Sequence, residues 1–151
     1  MSAPPEEATV TPDPTPRVWT RYVAVGDSFT EGMSDPDPTA PGRHLGWADR
    51  LALRLAEQAE HAGQDFGYAN LAVRGRLRAD VAGPQLDAAL ALEPDLVSIV
   101  GGGNDILRPR ADVEGLAARL EDAVARIRET GADVLMVTPV DPADAPLVRA
   151  T

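Results

Sequence analysis

Four short apolar runs are spaced along the chain, each flanked by charged residues, glycine or proline. They cover residues 21–26, 68–73, 95–100 and 134–138. Apolar runs of four to eight residues between turn residues are typical of buried strands. The hydrophobic pattern therefore predicts four strands with most of their side chains in the interior.

Between these strands, apolar residues recur at spacings of three and four, as they do in amphipathic helices. The predicted helices cover residues 47–60, 79–92 and 113–127, with a break or a new helix start at Pro84. Gly131 is the expected stop of the last helix, because glycine readily adopts the backbone conformation that ends one. On the first helix the predicted apolar face consists of Trp47, Leu51 and Leu55.

Strands that alternate with helices through short connections form parallel βαβ units with right-handed crossovers. The pattern therefore predicts one open α/β sandwich, over residues 18–151. Residues 1–17 are polar and interrupted by prolines, so we expect a disordered leader there. Residues 141–151 have the composition of a loop that follows the fourth strand. A parallel sheet needs helices on both faces, so we expect a domain that is incomplete at its C-terminus.

Composition excludes several classes of function. The chain has 24 acidic and 14 basic residues and a formal charge of −10, and its basic residues are scattered, so nucleic acid is not an expected partner. Every basic residue is arginine, which excludes a lysine Schiff base, a phosphate-binding P-loop and a Ser-Lys dyad. There is no cysteine, no long apolar stretch and no signal-like N-terminus. We therefore expect no metal site, no cofactor and no membrane span, and a cytoplasmic location.

Candidate chemistry lies where the first and third predicted strands end. Gly26-Asp27-Ser28 follows the first strand, and Gly101-Gly102-Gly103-Asn104 follows the third. The carboxyl ends of parallel strands share one edge of the sheet, which is where α/β proteins bind ligands. The glycine run is not a dinucleotide fingerprint, because Ile106 occupies the place of its last glycine. Ser28 is not in a G-x-S-x-G elbow either, since Thr30 occupies the final glycine position.

With the block Asn70-Leu71-Ala72-Val73-Arg74-Gly75, these motifs resemble the SGNH, or GDSL-motif, hydrolases over about residues 22–138. The resemblance implies a three-layer α/β/α sandwich with a parallel, flavodoxin-like sheet, and hydrolysis of small-molecule acyl esters. It implies Ser28 as the nucleophile. It also implies an oxyanion hole formed by the main chain of Ser28 and Gly75 and the side chain of Asn104. Such donors are effective because they are aimed at the charge that develops on the substrate oxygen.

The general base is the part of the expected site that the chain lacks. The family's fourth block, Asp-x-x-His, does not occur in these residues, so we expect weak activity or none. His44, in the long loop at 33–46, is a possible substitute base, whereas His61 suits the end of a helix, where a cation is favoured. We expect Asp27 and Asp105 to have structural roles at strand-end turns.

Two functions follow from these residues. The first is a serine ester hydrolase that acts through a Ser28 acyl-enzyme. The alternative is a non-catalytic module that binds an acyl or carbohydrate ligand, or a partner that completes the sheet. A receiver-like or flavin-binding domain is disfavoured, because there is no lysine or phosphate loop.

Overall fold

The computed structural model describes residues 16–74, 81–101, 105 and 110–137. Its regular elements alternate along the chain as predicted. In order they are β1 (Arg21–Gly26), α1 (Ser28–Glu31), α2 (Trp47–His61), β2 (Gly67–Asn70), a π-helical turn (Val81–Gln85), α3 (Leu86–Leu90), β3 (Leu96–Val100), α4 (Val113–Glu129) and β4 (Asp133–Met136).

The four strands form one parallel sheet in the order β2-β1-β3-β4. β2 and β3 therefore lie on opposite sides of β1. In the register, Ala24 of β1 lies opposite Asn70 of β2, and Gly26 lies opposite Val100 of β3. The strands on both sides of β1 thus end near the end of β1, at a switch point of the kind where open α/β sheets bind ligands.

Helices cover the sheet on both faces, so the predicted three-layer α/β/α architecture is confirmed. Side chains alternate between the two faces along a strand. On one face Val23, Val25, Val97 and Ile99 pack with residues of α3 and α4, including Leu86 and Ile127. On the other face Tyr22, Ala24 and Leu96 pack against Ala48, Ala52 and Leu55 of α2.

The α2 face contains a buried polar contact. The Tyr22 hydroxyl and the Ser98 hydroxyl are 2.7 Å apart, and both residues are fully buried. Burial raises the pKa of Tyr22 to about 12, so the ring stays neutral at physiological pH. The Tyr22 ring also stacks on Tyr68, with the ring centres 5.2 Å apart. β1 is therefore joined to both of its neighbouring strands by side chains as well as by the main chain.

Two predicted details differ from the structure. The buried residues of α2 are Ala48, Ala52, Leu55 and Ala59, whereas Trp47 and Leu51 are half-buried at the edge of the interface. Small alanines allow the helix to lie close to the sheet, and the larger side chains cover the margin. The second strand ends at Asn70 and not at residue 73, because the Asn70 side chain accepts a hydrogen bond from Ala72 N–H and turns the chain.

The helix predicted at 79–92 is divided, as the proline indicated. Pro84 lies inside the π-helical turn, and α3 begins immediately after Gln85. Proline has no N–H to donate, so a regular helix through this point would lose a hydrogen bond. Residues 79 and 80 lie outside the described part of the chain.

The proposed leader boundary at residue 17 stays a prediction, and Arg17 itself pairs with Asp133 at 2.9 Å.

Candidate active site

Ser28 is the first residue of α1 and follows the end of β1 by two positions. It is half-buried. The preceding residue, Asp27, caps the helix, because its carboxylate accepts a hydrogen bond from Phe29 N–H at 3.1 Å. The main-chain oxygen of Asp27 accepts hydrogen bonds from Thr30 and Glu31. The structural role predicted for Asp27 is therefore confirmed, and it determines the direction in which the chain leaves the strand at Ser28.

Gln85 holds the main chain of Gly26, just before this turn. Its side-chain oxygen accepts from Gly26 N–H at 2.9 Å, and its side-chain amide donates to the Gly26 carbonyl at 3.1 Å. A side chain at Gly26 would not fit, because its Cβ would lie 2.6 Å from Thr30 Oγ1 and from the Val100 carbonyl. The sequence analysis missed Gln85, which lies 59 residues away along the chain. The only sequence feature that pointed to Gln85 was its position directly after Pro84, where a new helix begins.

The segment after β2 is attached to α1. Asn70 donates from its side-chain amide to the Thr30 carbonyl at 2.9 Å. Four residues further on, Arg74 forms hydrogen bonds with the Glu31 carboxylate through both its main chain and its side chain. Gly75, the second predicted oxyanion donor, follows Arg74 in sequence and lies outside the described residues. The structure therefore brings the segment that leads to Gly75 against the helix that begins with Ser28.

The third motif begins beside the first one. Val100, the last residue of β3, lies opposite Gly26, and Gly101 continues from it. Asn104 is outside the described residues, so its predicted role as an oxyanion donor stays a prediction. Asp105 is half-buried in a helical conformation and has a polar interaction.

His44, the possible substitute base, lies in an exposed loop. The main chain of His44 forms an isolated antiparallel bridge with Pro36. The ends of this loop meet at a narrow neck between Gly32 and Gly46, where a Cβ on Gly46 would lie 2.6 Å from Gly32 Cα. Gly32 also has a φ of 85°, which suits glycine. The role of His44 as a base stays a prediction. His61, as expected, contacts its own helix, with Nδ1 2.6 Å from the Glu57 carbonyl.

The electrostatics of the site centre on Glu31. Its side-chain hydrogen bonds with Arg74 are the largest cause of a lowered pKa, and the positive charge of Arg74 acts in the same direction. Glu31 is therefore a carboxylate at neutral pH, and its charge is balanced by a neighbouring guanidinium. Within the described ranges, no group of three or more histidines and carboxylates is arranged to bind a metal ion. No described helix is long and apolar enough to cross a bilayer.

Solved structures similar to this chain are esterases or related proteins. Over 85% of the chain, the crystal structure of TesA is 30% identical with a TM-score of 0.65, and the match covers 66% of that protein. The psychrotrophic esterase EstA from Pseudoalteromonas sp. is 21% identical over 85% of the chain, with a TM-score of 0.59, and 65% of it is covered. AlinE4, an SGNH-hydrolase family esterase, is 19% identical over 82% of the chain, with a TM-score of 0.60 and 61% covered.

The chain thus spans about two thirds, or slightly less, of the length of these structures. No curated protein matches it significantly. The model of the GDSL-like lipase/acylhydrolase family matches residues 24–151, which include the end of β1, the Ser28 turn and all the elements that follow. The chain therefore belongs to the GDSL-like lipase/acylhydrolase family.

Proposed function

We propose that the chain carries the nucleophile and oxyanion-binding part of a serine hydrolase that cleaves carboxylic acyl esters. The observation that supports this most directly is the position of Ser28. It lies at the carboxyl edge of the sheet, at the switch point of the strand order, and the segment leading to Gly75 is bonded to the same short helix. Membership of an acylhydrolase family agrees with this chemistry.

In the proposed reaction Ser28 Oγ attacks the carbonyl carbon of the ester. The Ser28 proton passes to a general base, and the carbonyl oxygen becomes an oxyanion. The main-chain N–H groups of Ser28 and Gly75 and the Asn104 side-chain amide bind that oxyanion, each stabilising the transition state by about 3 kcal/mol. The C–O bond to the alcohol then breaks, the alcohol leaves with the proton from the base, and an acyl-Ser28 ester remains. Water attacks this ester, releases the acid and restores the Ser28 hydroxyl.

Two sources of the base are considered. One is an Asp-x-x-His block, which the family resemblance implies and these 151 residues lack. The other is His44, which lies in the exposed loop that follows α1. The variant His44→Asn separates them. If His44 is the base, the variant loses most of the acylation rate between pH 6 and 8, and if it is not, the rate is unchanged.

Covalent labelling of Ser28 tests the nucleophile. The solved structure of the EstA esterase is described as inhibited by monoethylphosphonate, so a phosphonate ester is a suitable probe. We expect one phosphonyl group per chain by intact mass, located on the peptide with Ser28, and no labelling of Ser28→Ala. The matched control is Ser34→Ala, which removes an exposed hydroxyl six residues away. Turnover of para-nitrophenyl acetate that survives Ser28→Ala would overturn the assignment.

A second function is a binding module without catalysis. The observation that favours it is the exposure of apolar residues on β4, at one edge of the sheet. β4 is the last strand of the described sheet, and Leu135, Met136 and Val137 at its end are 36–42% exposed. An added strand from a partner would cover these residues. In that case wild type and Ser28→Ala would be equally inert towards para-nitrophenyl acetate, although the chain would still unfold in one cooperative thermal transition.

A further inference from the structure

We propose that Glu31 is a positioning residue, which fixes the main chain at Arg74 and thereby orients the N–H of Gly75 towards the oxyanion. This inference rests on the proposed function for its catalytic consequence. The geometric evidence for this inference is the set of contacts between Glu31 and Arg74, which we call the Glu31–Arg74 clasp. No sequence motif assigned a role to Glu31.

The clasp has a main-chain part and a side-chain part. One carboxylate oxygen of Glu31 accepts from Arg74 N–H at 2.8 Å. The guanidinium Nε lies 3.2 and 3.3 Å from the two carboxylate oxygens, and a terminal guanidinium nitrogen lies 3.1 Å from one of them. A bidentate arginine–carboxylate contact has a defined orientation, unlike a contact between point charges. Both the backbone and the side chain of Arg74 are therefore fixed by one carboxylate.

A second contact fixes the other end of the same segment. The Asn70 side chain donates to the Thr30 carbonyl, and Thr30 and Glu31 are consecutive residues of α1. Residues 70 and 74 are thus both bonded to the helix that begins with Ser28. Between them, Val73 N–H donates to the Gly26 carbonyl at 3.2 Å. The segment before Gly75 therefore has three successive attachments to the Ser28 turn.

The main-chain bond matters most for Gly75. Peptide units are planar, so only the two backbone dihedrals of Arg74 lie between its own amide and the amide of Gly75. Fixing the Arg74 amide and the Arg74 side chain restricts φ of Arg74, and steric exclusion leaves its ψ only a few allowed ranges. The ion pair itself is exposed, and such pairs add little to stability. An arrangement that contributes little stability but orients the residue before a predicted oxyanion donor is better explained by a role in the site.

Three variants separate the parts of the clasp. Glu31→Ala removes both parts. Glu31→Gln keeps an acceptor for Arg74 N–H but removes the charge, and Arg74→Ala keeps the main-chain bond and removes the guanidinium. If the main-chain bond is what orients Gly75, Glu31→Ala has the largest effect and the other two have smaller effects. The matched control is Glu57→Ala, which breaks the exposed Arg54–Glu57 pair (3.0 Å) on α2.

Two measurements are made on each full-length variant. The first is the hydrogen exchange of the Arg74 and Gly75 amides by NMR, which does not depend on activity. We expect exchange of the Arg74 amide to be at least about tenfold faster in Glu31→Ala, with only the small fall in the midpoint of thermal unfolding that the loss of one main-chain hydrogen bond causes. The second is the acylation of Ser28 by para-nitrophenyl acetate. We expect kcat to fall by about tenfold to a hundredfold in Glu31→Ala, with KM nearly unchanged, because a donor used mainly in the transition state is displaced.

Each result decides the proposal. Faster exchange together with a lower kcat in Glu31→Ala, and neither change in Glu57→Ala, supports it. Unchanged exchange in Glu31→Ala overturns the clasp, and faster exchange with an unchanged kcat overturns its positioning role. If wild type acylates no Ser28, the proposed function fails separately. The exchange data alone then decide whether Glu31 fixes the main chain at Arg74.

Discussion

At the amino-terminal end of the sheet carboxylates hold the chain in place, whereas at the carboxyl-terminal end side-chain amides contribute as well. Asp95, just before β3, accepts hydrogen bonds from Thr20 N–H at 2.7 Å, from the Thr20 hydroxyl at 2.8 Å and from Arg21 N–H at 2.9 Å. Asp133, at the start of β4, accepts from the Trp19 indole at 2.9 Å and pairs with Arg17 and Arg128. These contacts join the entry of β1 to its neighbours.

At the opposite end, Gln85 and Asn70 bond to main-chain groups next to Ser28. Neutral amides can fix a backbone without adding a charge beside a developing oxyanion, which a carboxylate would repel. Two carboxylates also act at this end: Asp27 caps α1, and Glu31 bonds to Arg74, which balances its charge. The difference indicates that the amino-terminal end mainly supplies stability and the carboxyl-terminal end mainly supplies geometry for the proposed reaction.

Asp95→Ala should produce the largest change in stability. Three hydrogen bonds to an ionised acceptor are lost, and we expect the free energy of unfolding to fall by about 3 kcal/mol. Urea denaturation followed by circular dichroism measures this. The phosphonate labelling rate of Ser28, per folded molecule, should stay the same, because Asp95 is at the far end of the strands. A fall in the labelling rate as large as the fall in stability would contradict the division between the two ends.

Gln85→Leu should have the next largest effect on stability and a larger effect on the site. It leaves the N–H of buried Gly26 without its partner, at a cost of about 2 kcal/mol. We expect the labelling rate of Ser28 to fall by about tenfold, because the turn before Ser28 loses its support. Gln85→Glu sharpens the test, since a carboxylate can still accept from Gly26 N–H but cannot donate to the Gly26 carbonyl. A labelling rate unaffected by either variant would show that Gln85 is only a packing residue.

Acid should weaken the amino-terminal end of the sheet. Burial opposes ionisation of Asp95, but the hydrogen bonds from Thr20 and Arg21 outweigh it and lower the pKa of Asp95. A folded pKa below the unfolded one gives stability that is present above the unfolded value, about 3.9 for aspartate, and is lost as pH falls through the folded value. We therefore expect a steep loss of stability below about pH 4. The loss should be shallower in Asp95→Asn, as measured by thermal unfolding from pH 2 to 7.

Asp133→Asn should have the smallest effect. The variant keeps an acceptor for the Trp19 indole and removes only the charge that pairs with Arg17 and Arg128, whose side chains are about half exposed. Exposed ion pairs contribute little, so we expect a loss below about 1 kcal/mol, further reduced in high salt. Urea denaturation at low and high salt checks this. A loss comparable with that of Asp95→Ala would show that the amino-terminal end depends on its ion pairs and not on its main-chain hydrogen bonds.

The hydrophobic pattern was sufficient to predict the strands and helices, because burial imposes its periodicity locally. β1 has the predicted bounds of 21–26, and the last helix begins at Val113 as predicted. The pattern was less informative where side chains compete with the main chain. Asn70 ends β2 three residues early, and small alanines determine the buried face of α2. Neither effect has a periodic signal.

The sequence by itself determined the alternation of strands and helices and the motifs that carry the family relationship, since each of these is contained in a short stretch of residues. Only the tertiary structure decided the strand order β2-β1-β3-β4, the support of Gly26 by Gln85 and the Glu31–Arg74 clasp. These contacts join residues 59 and 43 positions apart. Hydrophobic periodicity extends over only a few turns or strand residues, so partners that meet only when the sheet assembles leave no mark in it.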